Sequence, residues 1–466
     1  QMTKQIEILD TRTPASPDDF LMALGVFATG LTPAATPNAV KRQASLCILD
    51  TIGCMIAGSQ MPETQQIIAA EQAVGPTGSA LIVGNTAKLG AVSAARANAY
   101  MGDIFELNDL IGGHASIGNV ATALSLAQTH RASGSDLILA VVAGIETTTR
   151  VYNAFYPHLK SIQDSGMVSV GFPATIGCSA AAARLSGLTP DQTANALAIA
   201  GAIAGWCPAE VIFGDGGTIK PMLFGASPAS AGIQAVEYAK AGLSGPPNIL
   251  HSSIGYFAAM SGKWGPGALS TDGWALNEPR RKLHACCGYI HSAFDAVASA
   301  TTELGLDPFQ IAEINVSVPQ YIIPAISKSA PPATANEARF HIQYMLALAA
   351  AGTDMVTPAH SVEFANEFLR PAVKHLAGRI HIAAGPELNH YHECKLRLKM
   401  KDGTEHEFSN DAPRGSAQNP LNEDDLVQKF MALAEPVIGN DRAQKIVSIT
   451  QSLEQTDNLT PLFDAL

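Results

Sequence analysis

Residues 119–151 read NVATALSLAQTHRASGSDLILAVVAGIETTTRV. Two alanine-rich apolar runs, 119–130 and 135–151, flank a short break, and alanine is the residue that loses least on entering a helix. The same texture returns at 91–100, 178–185 and 193–205. Small side chains let helix axes approach closely, so these runs predict a tightly packed helical layer. Working outward, Ser16-Pro17-Asp18-Asp19, Thr36-Pro37-Asn38 and Thr189-Pro190-Asp191-Gln192 share one helix-start pattern. In it a hydroxyl accepts an otherwise orphaned N–H and proline presets φ at the first helical position. A repeat solenoid is disfavoured, because the runs show no self-similarity at a fixed spacing.

The texture changes at Gly262-Lys263-Trp264-Gly265-Pro266-Gly267, a breaker-rich stretch of the kind expected at a domain boundary. Beyond it, 311–319 and 394–400 alternate as strands. The second runs into Lys401-Asp402-Gly403-Thr404, where Asp-Gly supplies the positive φ of a tight hairpin. Helical patterning lies between them at 291–304 and 338–351, and it returns from Asn422-Glu423-Asp424-Asp425 onward. The expected fold is therefore mainly α. A large all-helical domain of residues 1–266, completed by 411–466, carries a smaller α/β lid domain of residues 267–410.

The 466 residues are 47% hydrophobic and 15% charged, which excludes a disordered or collagenous chain and demands a large core. Lys and Arg number 29 against 41 Asp and Glu, and the net charge of −12 is the wrong sign for a nucleic-acid or anionic-membrane binder. Any anionic substrate must be held by a few placed cations. The longest strictly apolar runs, such as 137–145, fall short of the roughly 20 residues a bilayer-spanning helix needs. Gln1-Met2-Thr3-Lys4-Gln5 lacks a secretory pattern, so the expected location is cytoplasmic. The seven cysteines are sparse and are expected as reduced thiols.

Three segments concentrate chemistry. Glu106-Leu107-Asn108-Asp109-Leu110-Ile111-Gly112-Gly113-His114-Ala115-Ser116 crowds carboxylates, an amide and a histidine into one breaker-rich loop between helices, although such groups also serve as caps and satisfied core residues. Gly214-Asp215-Gly216-Gly217-Thr218-Ile219-Lys220-Pro221 lacks the order of a phosphate loop, which leaves Lys220 as either a surface charge or a carboxylate clamp. Arg281-Lys282-Leu283-His284-Ala285-Cys286-Cys287-Gly288-Tyr289-Ile290-His291 offers proton donors and acceptors across a wide pKa range. His390, His392 and Cys394 would alternate on one strand face, and structural roles outweigh a metal site there because no fourth ligand follows. No nucleophile-elbow, zincin or dinucleotide motif is found, so no metal and no cofactor is expected.

Taken in order, these segments resemble the MmgE/PrpD family, which includes 2-methylcitrate dehydratase, cis-aconitate decarboxylase and iminodisuccinate epimerase. The carriers are Glu106 to Asp109 with His114-Ala115-Ser116, Gly144-Ile145-Glu146, Lys220-Pro221, Lys282 through Cys286-Cys287-Gly288-Tyr289 to His291, Glu337-Ala338-Arg339-Phe340 and Asn419-Pro420-Leu421. The resemblance implies a helical domain with a lid, a homodimer, and cofactor-free chemistry on a small polycarboxylate in the cleft between domains. Two departures bear on the activity. Where lyase relatives carry a threonine this chain has Leu110, and where they carry a histidine it has Val168. Losing a hydroxyl and an imidazole favours an epimerase that moves the proton α to a carboxylate, as on iminodisuccinate, with a dehydratase or decarboxylase acting on a tricarboxylate as the alternative.

On that reading Lys220 and Lys282 hold substrate carboxylates, with Arg339 as a helper. His114 faces Lys282 or Tyr289 as the acid/base pair, and Asp109 or Glu106 orients His114 and favours its protonated form. Cys287, His291 and Tyr321 are further substrate-facing candidates. A pyridoxal enzyme is disfavoured because no phosphate cup accompanies Lys220, and a helical adaptor would have no need of the converging ionisable groups.

Overall fold

The computed structural model describes residues 20–214, 216–264 and 273–466. The helix start expected at Ser16, and most of the breaker-rich stretch after Trp264, lie outside these residues. The alanine-rich runs form α1 (Phe20–Gly30), α2 (Asn38–Gly58), α3 (Pro62–Val74), α4 (Ala91–Asp103), α5 (Ala115–His130), α6 (Gly134–Phe155), α7 (Phe172–Leu185), α8 (Pro190–Ile203) and α9 (Ser227–Lys240). Central α7 packs on α5, α6, α8 and α9. The approach is as close as the small side chains allow. A Cβ at Gly177 would meet the Thr148 hydroxyl and one at Gly144 would meet the Asn119 side chain.

Helix α8 starts as its sequence prescribes, with a capping box in which Thr189 and Gln192 bond each other's backbone N–H. Helix α2 begins at the expected place by another route. Thr36 spends its hydroxyl on the Thr32 carbonyl at 2.8 Å, and Pro37 precedes the first turn without a side-chain cap. The layer also departs from purely helical, because β1 (Ala80–Leu81) and β2 (Lys88–Leu89) pair antiparallel. Asn98 holds this edge by accepting from Val83 N at 2.9 Å and donating to Leu81 O at 3.0 Å.

The second layer is a four-stranded sheet in the order β4-β3-β5-β6, built from β3 (Ile311–Val318), β4 (Ile380–Ala384), β5 (Cys394–Met400) and β6 (Glu405–Asn410). The β5–β6 hairpin turns at Gly403, whose φ is +89°, and β5 alternates buried and exposed along its whole length. Helix α10 (His291–Glu303) packs on β5 and β6, while the helix expected at 338–351 is divided into α11 (Ala335–Arg339) and α12 (Ile342–Ala350). The break is made by His341, whose Nδ1 accepts from Tyr344 N at 3.1 Å while Nε2 donates to Ala330 O at 2.7 Å. Strand β5 starts only at Cys394, so His390 and His392 sit on the preceding turn and do not share its face.

The C-terminal helices α13 (Glu423–Ile438) and α14 (Asn440–Gln451) return to the helical layer, with α13 lying along α2. The helix expected from Asn422 onward opens with a capping box between Asn422 and Asp425. The tail then docks on the start of α6, where Gly134 N donates to Thr456 O at 2.7 Å and a Cβ would collide with Leu453 O. Gly134→Ala is expected to cost about 1–3 kcal/mol by forcing these backbones apart. An unchanged urea midpoint for that variant would show that the tail is not held there. No single helix among the described residues is long and apolar enough to cross a membrane.

Candidate active site

The loop between α4 and α5 owes its shape to residues that tolerate positive φ. Gly112 and Gly113 adopt φ of +56° and +86°, and a Cβ on either would press on Thr149 or Val170. Glu106 takes φ +53° without being glycine, a strained conformation of the kind that persists where surrounding contacts over-determine it. Its carboxylate is gripped by Lys220, and its other oxygen lies 3.4 Å from the Lys282 ammonium. Lys220 also bonds Asp103 at 3.0 Å and lies 4.3 Å above the Phe224 ring. Two lysines and two carboxylates thus face one another in a nearly solvent-free block. Burial pushes Lys220 down to about 8 against the opposing pull of Asp103, and burial likewise lifts the Asp103 carboxyl.

His114 sits at the mouth of α5 above this block. Asn108 Nδ2 donates to Asp103 Oδ1 at 2.5 Å, which fixes the amide so that its Oδ1, 2.8 Å away, accepts from His114 Nδ1. The ring is therefore the Nδ1–H tautomer, tilted by 31° against the Phe224 ring with centroids 5.0 Å apart, and its Nε2 lone pair is left for the cleft. This corrects the expected partner, since an amide and neither Asp109 nor Glu106 orients the ring. It also corrects the expected charge, because burial first, then Lys282 and Arg280, push the imidazole down to about 3. Asp109 is buried away from the ring, accepting from Ile111 N at 3.3 Å and facing Arg281 at 3.8 Å.

The opposite wall comes from the segment that leaves the helical layer for the sheet. Leu110 N donates to Arg280 O at 2.9 Å and Arg281 N donates to Gly415 O at 2.7 Å, so residues 280–282 are clamped between the loop and the tail. Lys429 on α13 completes the clamp by donating to Leu107 O and Lys282 O at 3.0 and 2.6 Å. Between the walls lies a cleft of about 530 Å³, lined by Glu106, His114, Arg280, Cys287, Tyr289 and Tyr321 among others. Burial raises Tyr289 well above its usual range and raises Cys287, so both reach the cleft as protonated donors.

Of the residues singled out in the sequence, Glu106, His114, Cys287, Tyr289 and Tyr321 meet in this cleft, while Lys220 and Lys282 lie behind its wall against Glu106. Arg339 and His291 are not part of it. Arg339 donates to Ser361 Oγ at 3.0 Å with its guanidinium over Phe105, and His291 Nε2 donates to Cys286 O at 3.1 Å. Sequence reasoning missed Arg280, which reaches the cleft and donates to the Tyr391 hydroxyl at 3.2 Å. Its signal was present as one more cation preceding Arg281-Lys282 in a charge-poor chain. Asn108 was also missed as the partner of His114. Among the described residues no three His, Cys, Asp or Glu side chains gather as a metal site requires, and His390 instead accepts from His392 N at 3.1 Å.

Leu110 and Val168, the two departures noted in the sequence, both lie in the cleft wall. Comparison with known proteins agrees with the order of motifs. The MmgE/PrpD N-terminal domain matches residues 22–268 and the MmgE/PrpD C-terminal domain matches residues 284–455. Cis-aconitate decarboxylase of Aspergillus terreus is 26% identical, covering 94% of both chains. The proteins of the same name from Mus musculus and Homo sapiens are 27% and 26% identical, over 74% and 73% of this chain and 71% of each of theirs. With both of its domain models matched in order across most of its length, the chain belongs to the MmgE/PrpD family.

Proposed function

We propose that this protein is a cofactor-independent lyase that acts on a small carboxylic acid at the carbon next to its carboxylate. The observation that carries the reading is His114, held as a neutral Nδ1–H imidazole by the Asp103–Asn108 relay in a cleft that Arg280 also lines. Loss of water after removal of the α-proton, and loss of carbon dioxide followed by α-protonation, both pass through a carbanion conjugated with a carboxylate. Arg280 supplies positive charge where that negative charge develops. In elimination, His114 Nε2 takes the proton and the Tyr289 hydroxyl donates to the leaving group. In decarboxylation, Tyr289 donates to the carbanion as carbon dioxide departs. The decarboxylase relatives support the lyase class over the epimerase favoured by the sequence.

One observation keeps an epimerase as the second reading. Leu110 and Val168 place hydrocarbon where lyase relatives are expected to carry a hydroxyl and an imidazole. Proton NMR in D2O separates the two, using cis-aconitate, 2-methylcitrate and mixed iminodisuccinate stereoisomers as parallel substrates. A lyase gives an altered alkene signal from one of the first two. Interconversion of iminodisuccinate diastereomers, with deuterium at the α-carbon and no alkene change elsewhere, would replace the lyase with the epimerase.

A further inference from the structure

The turn between β4 and β5 brings Asn389, His390 and Tyr391 to the cleft. It is a braced turn. Asn389 N donates to Glu393 Oε2 at 2.9 Å, Glu393 N donates to His390 O at 2.8 Å, and Ser292 Oγ on α10 donates to His392 O. The buried Tyr391 ring packs on both histidines, stacked on His390 with centroids 4.4 Å apart and edge-on to His392 at 4.4 Å. Held in this way, its hydroxyl accepts from Arg280 Nη1 at 3.2 Å, and its ring meets that of Tyr289 at 5.4 Å. Arg280 is half-buried, and among the described residues the Tyr391 hydroxyl is the one acceptor its guanidinium bonds. A phenol on Nη1 leaves the Nε–Nη2 edge, whose parallel N–H groups match the two oxygens of a carboxylate. A long side chain free to rotate would lose that match, because it has rotamer freedom to give up on binding.

We infer that Tyr391 is a positioning residue, whose hydroxyl holds Nη1 of Arg280 so that the Nε–Nη2 edge meets one substrate carboxylate in the cleft beside His114. The inference rests on the proposed function for the reaction that follows binding, while the carboxylate it requires is common to the lyase and epimerase readings. His390 and His392 are then the packing that fixes the phenol. Tyr391 acts on the substrate only through the guanidinium it aims.

A double-variant cycle on Arg280 and Tyr391 tests this, read by calorimetric titration of the whole protein with propane-1,2,3-tricarboxylate and with succinate. Tyr391→Phe keeps the ring against His390, His392 and Tyr289 and removes only the hydroxyl. It is expected to weaken the tighter of the two ligands by about tenfold, the scale of one hydrogen bond to a charged group, with circular dichroism unchanged. In an Arg280→Lys background, which keeps a point charge but has no fork to aim, the same change is expected to cost less than about twofold. A tyrosine that only supports the fold would cost the same factor in both backgrounds. That result, no effect of Tyr391→Phe on the parent, or no binding of either acid by the parent would overturn the inference. Turnover separates it from the proposed chemistry. If the two sites couple in binding yet cis-aconitate and 2-methylcitrate are left unchanged, the positioning role stands and the lyase reading falls. If either acid reacts while Tyr391→Phe costs the same factor in both backgrounds, the lyase reading stands and the positioning role falls.

Discussion

The His114→Gln variant is expected to lose about 100- to 10,000-fold in kcat/KM while keeping its fold, the range spanned by removal of a positioned general base. Glutamine still fills the space against Phe224 but offers no nitrogen lone pair to the cleft. The parent enzyme should show no acid limb near pH 6.5, because burial, Lys282 and Arg280 hold the imidazole at about 3 and keep it neutral. Stability carries the same signature. The folded-state pKa is depressed below the unfolded value of 6.5, so the unfolded chain takes the proton first as pH falls. The contribution of His114 to stability is whole above 6.5 and lost as pH drops from there toward 3. Urea midpoints measured at pH 7.5 and pH 5 should therefore differ less in His114→Gln than in the parent. An acid limb near 6.5 in the parent that vanishes in the variant would mean that the imidazole titrates freely, contrary to the buried relay.

Much of the architecture was legible because it rests on local rules. Alanine-rich runs became helices, Thr189 and Asn422 became capping boxes, and β5 buries every second residue. The break at His341 was not legible, since it depends on Ala330, which only the tertiary fold brings to the imidazole. The site divided the same way. The loop from Glu106 to His114 announced itself by crowding, and so did the stretch after Arg281. Which cation meets which carboxylate could not be read, because Lys220 and Lys282 reach Glu106 across more than a hundred residues of chain. Pattern reasoning therefore gave them to the substrate. Asn108 was passed over because a carboxylate is the usual partner sought for histidine. In this loop the carboxylate of Asp103 acts one step removed, through the amide, and leaves the imidazole neutral.

Lys220→Met tests whether that buried block is a structural hub, and it is expected to cost about 3–5 kcal/mol, as removal of one partner from a buried ion pair does. The ammonium answers both Asp103 and Glu106, and its loss leaves two carboxylates in a nearly solvent-free site facing Lys282 alone. Methionine replaces the methylene stem over Phe224, so lost packing is a small part of the effect. Pairing the change with Glu106→Gln removes one charge of each sign. The double variant should recover part of the loss, with a coupling of about 0.5–3 kcal/mol between the sites. Urea unfolding of the parent, the two single variants and the double variant measures it. Equal stability of Lys220→Met and the parent would mean that the carboxylates take up protons at no cost and that the block does not hold the loop. Activity follows by a definite route. Asp103 orients Asn108 and Asn108 orients His114, so freeing Asp103 from Lys220 loosens the tautomer on which proton transfer depends.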